Sequence, residues 1–229
     1  MLEIDEVRKH FPSPSGEIVR AVDGVSLSIA RGELVALYGP SGSGKTTLLK
    51  IIAALLRPDA GSVTVDGRDV TALDRREAGR YRLREIGFIR QEPSFVPGAS
   101  AVDNAALKLL DELRRKEARR RVEPLMVRLG LEDRMRHLPS QLSSGEQQRV
   151  LIARALSTEP KVVLADEPTG SLDTQRSRDV LGLLRGLCHE QHVAMLLVTH
   201  DLQAAQYADR AVELRDGRLG QYVADGAVR

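Results

Sequence analysis

The segment Gly39–Thr46 reads GPSGSGKT and fits the pattern G-x-x-x-x-G-K-[ST]. Its glycines let the backbone curl closely around an anion, because no side chain blocks the N–H groups. The segment follows an apolar predicted strand and opens a predicted helix, whose free N–H groups and dipole favour negative charge. Lys45 can reach the β- and γ-phosphates of a nucleotide, and the Thr46 hydroxyl can ligate Mg²⁺. The pattern therefore predicts a phosphate-binding loop rather than a glycine-rich turn that only caps a helix.

A second candidate lies in Val162–Glu167, which reads VVLADE. Four apolar residues predict a buried strand that ends in two carboxylates. Acidic residues often end strands, so this pattern alone is a weak signal. Combined with the phosphate loop, it predicts that Asp166 holds Mg²⁺ through water and that Glu167 polarises the attacking water.

A third candidate, Leu142–Arg149, reads LSSGEQQR. Ser143 and Glu146 have the spacing of a capping box, which predicts the start of a helix. The structural interpretation is compatible with a functional one, because a serine-glycine helix N-terminus is also a good receptor for a γ-phosphate.

Strands and helices alternate at both ends of the chain, around a block that is mostly helical. This order predicts an α/β core with a helical insertion. Strands are predicted over 22–29, 33–39, 86–91, 162–166 and 193–200, with strand pairs over 61–70 and 211–219. Helices are predicted over 45–56, 174–189 and 201–208, and the block 102–157 is predicted to be broken at Pro124, at Gly130 and in HLPSQLSSG.

The composition is that of an ordinary globular domain, with 229 residues and a net charge of +2. We expect no membrane span and no secretory signal, because no apolar run reaches 18 residues and the N-terminus is charged. The single cysteine, Cys188, favours a reducing cytosol. The basic run Arg114–Arg121 could bind nucleic acid or anionic lipid. A solvated helix face is favoured, because Glu117 interrupts the run and no aromatic residue interleaves it.

These motifs occur in the order found in the ATP-binding cassette (ABC) ATPases, and the chain resembles that family over nearly its whole length. Asp166–Asp173, which reads DEPTGSLD, is similar to the family's carboxylate pair and D-loop. The resemblance implies an α/β P-loop NTPase (RecA-like) core with a small antiparallel β lobe and an inserted helical lobe. It implies one nucleotide-binding domain over 1–229, with its core at about 1–90 and 158–229 and the helical lobe at about 91–157.

The resemblance also implies roles for individual residues. Glu167 and His200 would be catalytic, with His200 contacting the γ-phosphate, and Asp173 would end the D-loop. ATP would be bound by Phe11, stacked on adenine, and by Gly39, Pro40, Ser41, Gly42, Ser43, Gly44, Lys45, Thr46, Thr47 and Gln91. Mg²⁺ would be bound by Thr46, Gln91 and, through water, Asp166. The signature residues Ser143, Ser144, Gly145 and Glu146 would act on ATP held by a partner subunit.

The implied partners follow from the same resemblance. A second ATPase subunit is required; a homodimer is simplest, and a different ATPase chain is possible. A separate transmembrane permease would dock on the loop QEPSFVPGASAVDN, which begins at Gln91, and would hold the chain at the cytoplasmic face of the inner (plasma) membrane. No nucleic acid is expected. The string ADEPTGSLD resembles the subgroup of lipoprotein release, macrolide export and cell division, which implies export or mechanotransmission. The alternative is a soluble ABC ATPase of iron–sulfur assembly or nucleic-acid type.

Two departures from the family pattern matter. Ser144 stands where the signature usually has its first glycine. If that position needs a positive φ or a very close approach of phosphate, serine would be unfavourable, by about 1 kcal/mol for a non-glycine residue held in the left-handed region. We therefore expect slower hydrolysis than with glycine. Phe95, Val96 and Pro97 replace a leucine-rich stretch of the subgroup, which leaves the membrane partner open.

Overall fold

The structure is a computed structural model, and it describes residues 1–13, 16–91, 94–170 and 172–220. Glu92 and Pro93, within the predicted docking loop, and Ser171, within the D-loop, lie outside the described residues. The strands are β1 (Leu2–Pro12), β2 (Ile18–Ile29), β3 (Leu34–Tyr38), β4 (Ala60–Val65), β5 (Arg68–Asp69), β6 (Ile86–Ile89), β7 (Val162–Asp166), β8 (Ala194–Thr199), β9 (Arg210–Arg215) and β10 (Arg218–Leu219).

The helices are α1 (Lys45–Ile52), α2 (Arg75–Arg84), α3 (Ala101–Ala105), α4 (Arg115–Arg128), α5 (Ser144–Leu156), α6 (Thr174–Gln191) and α7 (Leu202–Ala205). Short 3₁₀ turns cover Leu107–Asp111, Glu132–Arg134 and Pro139–Gln141. Within the described ranges, no helix combines the length and the apolar character needed to cross a membrane.

The central sheet has the strand order β10-β9-β3-β8-β7-β6. Neighbours from β9 to β6 pair in parallel, and β10 closes the edge in an antiparallel hairpin with β9. All five residues of β3 are buried, as expected for a strand that is covered on both faces. Alternate residues of β3 enter two different cores: Leu34 and Ala36 face one, and Val35 and Leu37 face the other.

The two cores give the sheet its two covering layers. The core that contains Val35 also contains α1, part of α2 and the antiparallel sheet β2-β1-β4-β5. The core that contains Leu34 receives buried residues from α3, α4, α5, α6 and α7. The α/β core, the small antiparallel sheet and the helical insertion expected from the sequence are therefore all present.

Two predicted element ends and one predicted break are wrong. The first helix ends at Ile52 rather than at residue 56, because the chain turns through a left-handed conformation at Ala54 (φ 50°). The helix predicted over 201–208 covers only Leu202–Ala205. Pro124 does not break α4 but lies inside it. Its missing N–H costs one helix hydrogen bond, which the burial of Ala118, Val122 and Met126 on the same helix offsets.

Helix α3 is held in place by a buried carboxylate, Asp103, whose side chain is 9% exposed. Arg115 and Arg119, both on α4, each donate two hydrogen bonds to its carboxylate at 2.7–2.8 Å. Ser100 donates a further bond at 2.6 Å. The bonds from Arg115, followed by those from Arg119, hold the pKa of Asp103 far below its usual range. The basic run is an exposed helix face, as favoured from the sequence, and two of its arginines also clamp α3.

We expect Asp103→Asn to lower the free energy of unfolding by about 2 kcal/mol at pH 7, because bonds to a charged group are lost. The folded-state pKa is depressed, so this contribution is present above the unfolded pKa of about 4 and is lost as pH falls below it. Urea unfolding of both proteins between about pH 2 and pH 8 measures the difference and its loss at acid pH. The control Asp111→Asn, which loosens an exposed pair with Arg84, should cost less than about 0.5 kcal/mol. Equal losses in the two variants would contradict the clamp.

Candidate functional site

The predicted site residues follow four neighbouring parallel strands. The phosphate loop follows β3, His200 follows β8, Glu167 follows β7, and Gln91 comes shortly after β6. These strands are adjacent in the order β3-β8-β7-β6, and neighbouring strands lie about 4.8 Å apart. Because the carboxyl ends of parallel strands meet at one edge, the topology brings all four segments to the same crevice.

The phosphate loop has the backbone that its glycines predict. Gly42 and Gly44 both adopt positive φ, at 82° and 104°. A Cβ on Gly44 would overlap the carbonyl oxygen of Ala21, and one on Gly39 would overlap that of Leu214. Side chains at these two positions are therefore excluded by the β2 and β9 backbones packed against the loop.

Lys45 is buried at the centre of this loop, with a relative exposure of 6%. Its ammonium donates to the carbonyl oxygens of Gly39 and Pro40 at 2.8 and 2.7 Å, and to the Ser43 hydroxyl at 3.3 Å. Burial lowers the pKa of Lys45, while the charges of Glu167 and Asp166 oppose that shift. The lysine is thus a desolvated cation whose hydrogen-bond acceptors are all uncharged.

The two carboxylates at the end of β7 differ in environment. Asp166 is half-buried, and its pKa is raised first by burial and then by the charge of Glu167. The cations Lys45 and Arg90 act in the opposite direction. The site therefore places two like charges side by side with a buried ammonium near them.

Glu167 has an unusual backbone for a non-glycine residue, with φ at 47°. Its N–H donates to the Val198 carbonyl at 2.9 Å, which ties it to β8. Its carboxylate Oε1 lies 2.8 Å from Nδ1 of His200, whose side chain is 59% exposed. Backbone strain of this kind clusters at functional sites, and the sequence pattern carried no sign of it.

Gln91 and Phe11 lie at the rim of the crevice. The Gln91 amide nitrogen is 3.1 Å from the point that a Cβ on Gly170 would occupy, so this side chain lies over the loop that follows Glu167. Phe11 is 38% exposed and pairs with Val19 on β2, about 7 Å along that strand from Ala21. The Lys9 ammonium lies 5.7 Å from the centre of its ring.

The signature segment forms the predicted capping box at the start of α5. The Ser143 hydroxyl accepts from the Glu146 N–H at 3.3 Å, and the Glu146 carboxylate accepts from the Ser143 N–H at 2.8 Å. These bonds, together with the nearby Arg134, lower the pKa of Glu146 to about 2. Ser144 is the first residue of the helix and is not among the residues with positive φ. The condition of a positive φ is therefore not met at Ser144, and the expectation of slower hydrolysis depends on the approach of phosphate alone.

Arg176 joins the signature segment to the end of the D-loop, and sequence analysis did not identify it. Asp173 caps α6 by accepting from the Arg176 N–H at 2.9 Å, and the two side chains pair at 3.3 Å. The Arg176 guanidinium also donates to the Ser144 hydroxyl at 3.4 Å. Its Cδ lies 3.6 Å from the point that a Cβ on Gly145 would occupy.

The structure thus forms two groups of candidate residues. The phosphate loop, Asp166, Glu167, His200 and Gln91 form one group. Ser143–Glu146 and Asp173 form the other. In the part of the chain that is described, no hydrogen bond or ion pair joins the phosphate loop to Ser143–Glu146.

Comparison with known proteins identifies the family. The family described as "ABC transporter" matches residues 22–170. The lipoprotein-releasing system ATP-binding protein LolD 2 of Caulobacter vibrioides is 48% identical over 220 residues, which are 96% of each chain. The macrolide export ATP-binding/permease protein MacB of Burkholderia pseudomallei is 44% identical over 96% of this chain but only 33% of its own length.

Solved structures agree with this result. The bacterial ABC transporter cassette MJ0796, solved as a dimer, matches with a TM-score of 0.87 and 36% identity over all of both chains. The same cassette in a post-hydrolysis state bound to ADP and Pi matches with a TM-score of 0.87 and 35% identity. The predicted P-loop NTPase fold is therefore confirmed. The chain belongs to the ABC transporter family, and it is an ATP-binding, ATP-hydrolysing cassette of the LolD and MacB type.

Proposed function

We propose that two copies of this chain bind and hydrolyse ATP between them and thereby drive a separate membrane permease. The observation that carries this proposal is the crevice in which buried Lys45 lies near Asp166 and the Glu167–His200 pair. These residues match the needs of triphosphate binding and hydrolysis: a cation for phosphates, a carboxylate for a metal ion and a carboxylate for water.

ATP would be bound by the phosphate loop, with Lys45 as its main charged contact. Lys45 now donates only to uncharged oxygens, so β- and γ-phosphate oxygens would replace weak acceptors with charged ones. The N–H groups of Gly42–Thr47 would surround the phosphates at the start of α1. Phe11, with its partly exposed ring, would stack on adenine.

The chain also fits a magnesium ion. Thr46, Asp166 and Gln91 supply hydroxyl, carboxylate and amide oxygens, which are the ligands that Mg²⁺ prefers. Burial, and after it the charge of Glu167, raises the pKa of Asp166, and a bound divalent cation would stabilise the charged form of this carboxyl. When bound, Mg²⁺ would neutralise charge on the phosphate oxygens.

Glu167 would act as the residue that orients and polarises the attacking water. Its carboxylate is mostly covered and is held by His200 at 2.8 Å, which limits its rotamers. His200 is exposed on its other side and would contact the γ-phosphate there. The positive φ of Glu167 turns its side chain out of the strand direction at the mouth of the crevice.

A second cassette would complete each ATP site. Among the described residues of one chain, no hydrogen bond or ion pair joins the phosphate loop to Ser143–Glu146, and Ser143 and Ser144 are exposed. The relative MJ0796 was solved as a dimer. We infer that Ser143, Ser144, Gly145 and Glu146 close over ATP held by the other copy, with Asp173 beside them. A homodimer is the simplest such assembly.

A separate permease would hold the dimer at the cytoplasmic face of the inner membrane. MacB is named as an ATP-binding/permease protein, and this chain spans about a third of its length. LolD, which this chain matches over almost its full length, is named as the ATP-binding protein of a lipoprotein-releasing system. We propose that the complex performs export or mechanotransmission.

We further propose that residues 1–229 form one nucleotide-binding domain. Its core lies at about 1–90 and 158–229, and its helical lobe lies at about 91–157.

Glu167→Gln tests the catalytic role and the dimer together. We expect the ATPase rate to fall at least about 100-fold, because the amide cannot act as a base, while ATP binding persists. With Mg-ATP the variant should elute as a dimer in size-exclusion chromatography, and with ADP as a monomer. The control Glu190→Gln removes an exposed carboxylate that pairs with Arg128 and should behave as wild type. An ATPase rate within tenfold of wild type would refute the role of Glu167.

The same variant identifies the partner. Tagged Glu167→Gln protein, recovered with Mg-ATP from detergent-solubilised native membranes, is expected to bring a polytopic membrane protein above background in mass spectrometry. Recovery of soluble partners alone would favour an ABC ATPase of iron–sulfur assembly or nucleic-acid type.

Ser144→Gly tests the departure in the signature. Because Ser144 has ordinary helical geometry, glycine releases no strain there and should lower the free energy of unfolding by up to about 1 kcal/mol. The ATPase rate should rise, since a smaller residue allows closer approach to the partner's γ-phosphate. Thermal unfolding and steady-state ATPase assays measure both quantities. A more stable variant, or one with no gain in rate, would contradict this account.

A further inference from the structure

Helix α5 carries the signature at its N-terminus. Near its C-terminus, an arginine makes hydrogen bonds to residues outside the helix. Arg154 reaches from α5 to the segment that follows Gln91. Its Nη1 donates to the Ser94 carbonyl at 2.6 Å, its Nε to the Asn104 carbonyl at 2.7 Å, and its Nη2 to the Asn104 side-chain oxygen at 2.7 Å. The guanidinium carbon lies 5.6 Å from the centre of the Phe95 ring.

Asn104 is the second half of this contact and has no exposed surface. Its side-chain oxygen accepts from the Val96 N–H at 2.9 Å, besides accepting from Arg154. Its amide group donates to the carbonyl oxygens of Ala99 and Ser100 at 3.0 and 3.1 Å. One buried side chain thus fixes the backbone of the segment from Val96 to Ser100.

The chemistry of Arg154 is unusual for a largely buried cation. Among the described residues it has no carboxylate partner; backbone and amide oxygens and one aromatic face hold it instead. Hydrogen bonds from the forked guanidinium to neutral groups fix the orientation of the side chain but do not neutralise its charge, because each N–H requires its own aligned acceptor. This contact is suited to holding the segment in one position relative to α5.

The two segments that Arg154 joins each lead along the chain to residues of the proposed ATP sites. Gln91, three residues before Ser94, lies over the loop that follows Glu167. Ser144 lies ten residues before Arg154 on α5, about 15 Å along the helix axis. Helix α5 is continuous from Ser144 to Leu156, so a displacement of its C-terminal half would be carried to its N-terminus.

We propose that Arg154 and Asn104 form a latch that makes the loop after Gln91 and the signature helix move together. Arg154 is then a positioning residue: it carries displacement of that loop, when a membrane partner docks on it, to Ser143–Glu146. This inference rests on the proposed function, because it assigns the path by which the permease would reach the ATP site.

A merely structural role for Arg154 would affect stability and all activities together. A latch affects one quantity selectively, namely the stimulation of ATP hydrolysis by the membrane partner. The basal rate of the isolated chain depends on the phosphate loop and Glu167, which Arg154 does not contact. The distinguishing measurement is therefore the ratio of stimulated to basal ATPase rate.

The test uses Arg154→Lys, which keeps the charge and the aliphatic stem but removes the fork. Wild-type and variant chains are each assembled in liposomes with the permease recovered by the Glu167→Gln protein. We expect the basal kcat and KM to stay within about twofold of wild type and the stimulation ratio to fall about fivefold or more. Arg121→Gln, which removes an exposed pair with Glu159, is the control and should keep full stimulation.

The outcomes separate the latch from the function on which it rests. If wild type is not stimulated by the permease, the proposed function fails and the latch fails with it. If wild type and Arg154→Lys are stimulated equally, the latch alone is overturned. If Arg154→Lys does not fold, Phe95→Leu replaces it, since this change removes the aromatic face and leaves α5 intact. A stimulation ratio for Phe95→Leu equal to that of wild type would then overturn the latch.

Discussion

Parallel pairing of β3, β8, β7 and β6 is the constraint on which the rest of the molecule depends. Their registers align Tyr38 with Thr199 and Asp166 with Val198, so the four strands end at almost the same level. Each strand is covered on both faces, which leaves its carboxyl end as the place where the chain can turn outwards. The phosphate loop, Glu167 and His200 are neighbours for this reason, although more than 150 residues of chain separate the first from the last.

The charges at this edge of the sheet favour the nucleotide-bound form of the chain over the nucleotide-free form. Lys45 and Asp166 are both desolvated, and each has a pKa shifted towards its neutral form. Such shifts mean that the charged forms of these two groups are disfavoured in the folded chain, which lowers the free energy of unfolding. A nucleotide that brings negative phosphates to Lys45 stabilises the charged lysine. Nucleotide binding therefore offsets part of the free-energy cost of burying this charge. The same logic explains why the lysine is held by carbonyl oxygens, which are strong enough to position it and weak enough to be exchanged.

The features that could be predicted from sequence are those encoded by neighbouring residues. The phosphate loop, the apolar strands and the capping box of α5 depend on local spacing, and they stand where they were expected. Helix α2 was missed, although Asp74 and Glu77 form a capping box that a closer inspection of the sequence could have used. The fork of Arg115 and Arg119 on Asp103, the positive φ of Glu167 and the contact of Arg176 with Ser144 depend on tertiary packing. No periodicity in the sequence encodes such contacts, and the burial that keeps Pro124 inside α4 is of the same kind.

The helical insertion carries Ser143–Glu146 at the start of α5, whereas the phosphate loop lies at the start of α1. A signature that lay against its own phosphate loop would sense ATP without needing a second cassette. In the proposed assembly, the exposed Ser143 and Ser144 instead meet phosphate that is held by the other copy. Arg154 holds the segment Ser94–Ser100 through the Ser94 carbonyl, three residues after Gln91, whose side chain lies over the Glu167 loop. With the proposed latch, a partner that displaces Ser94–Ser100 also displaces α5, so the position of that partner decides whether the two half-sites meet.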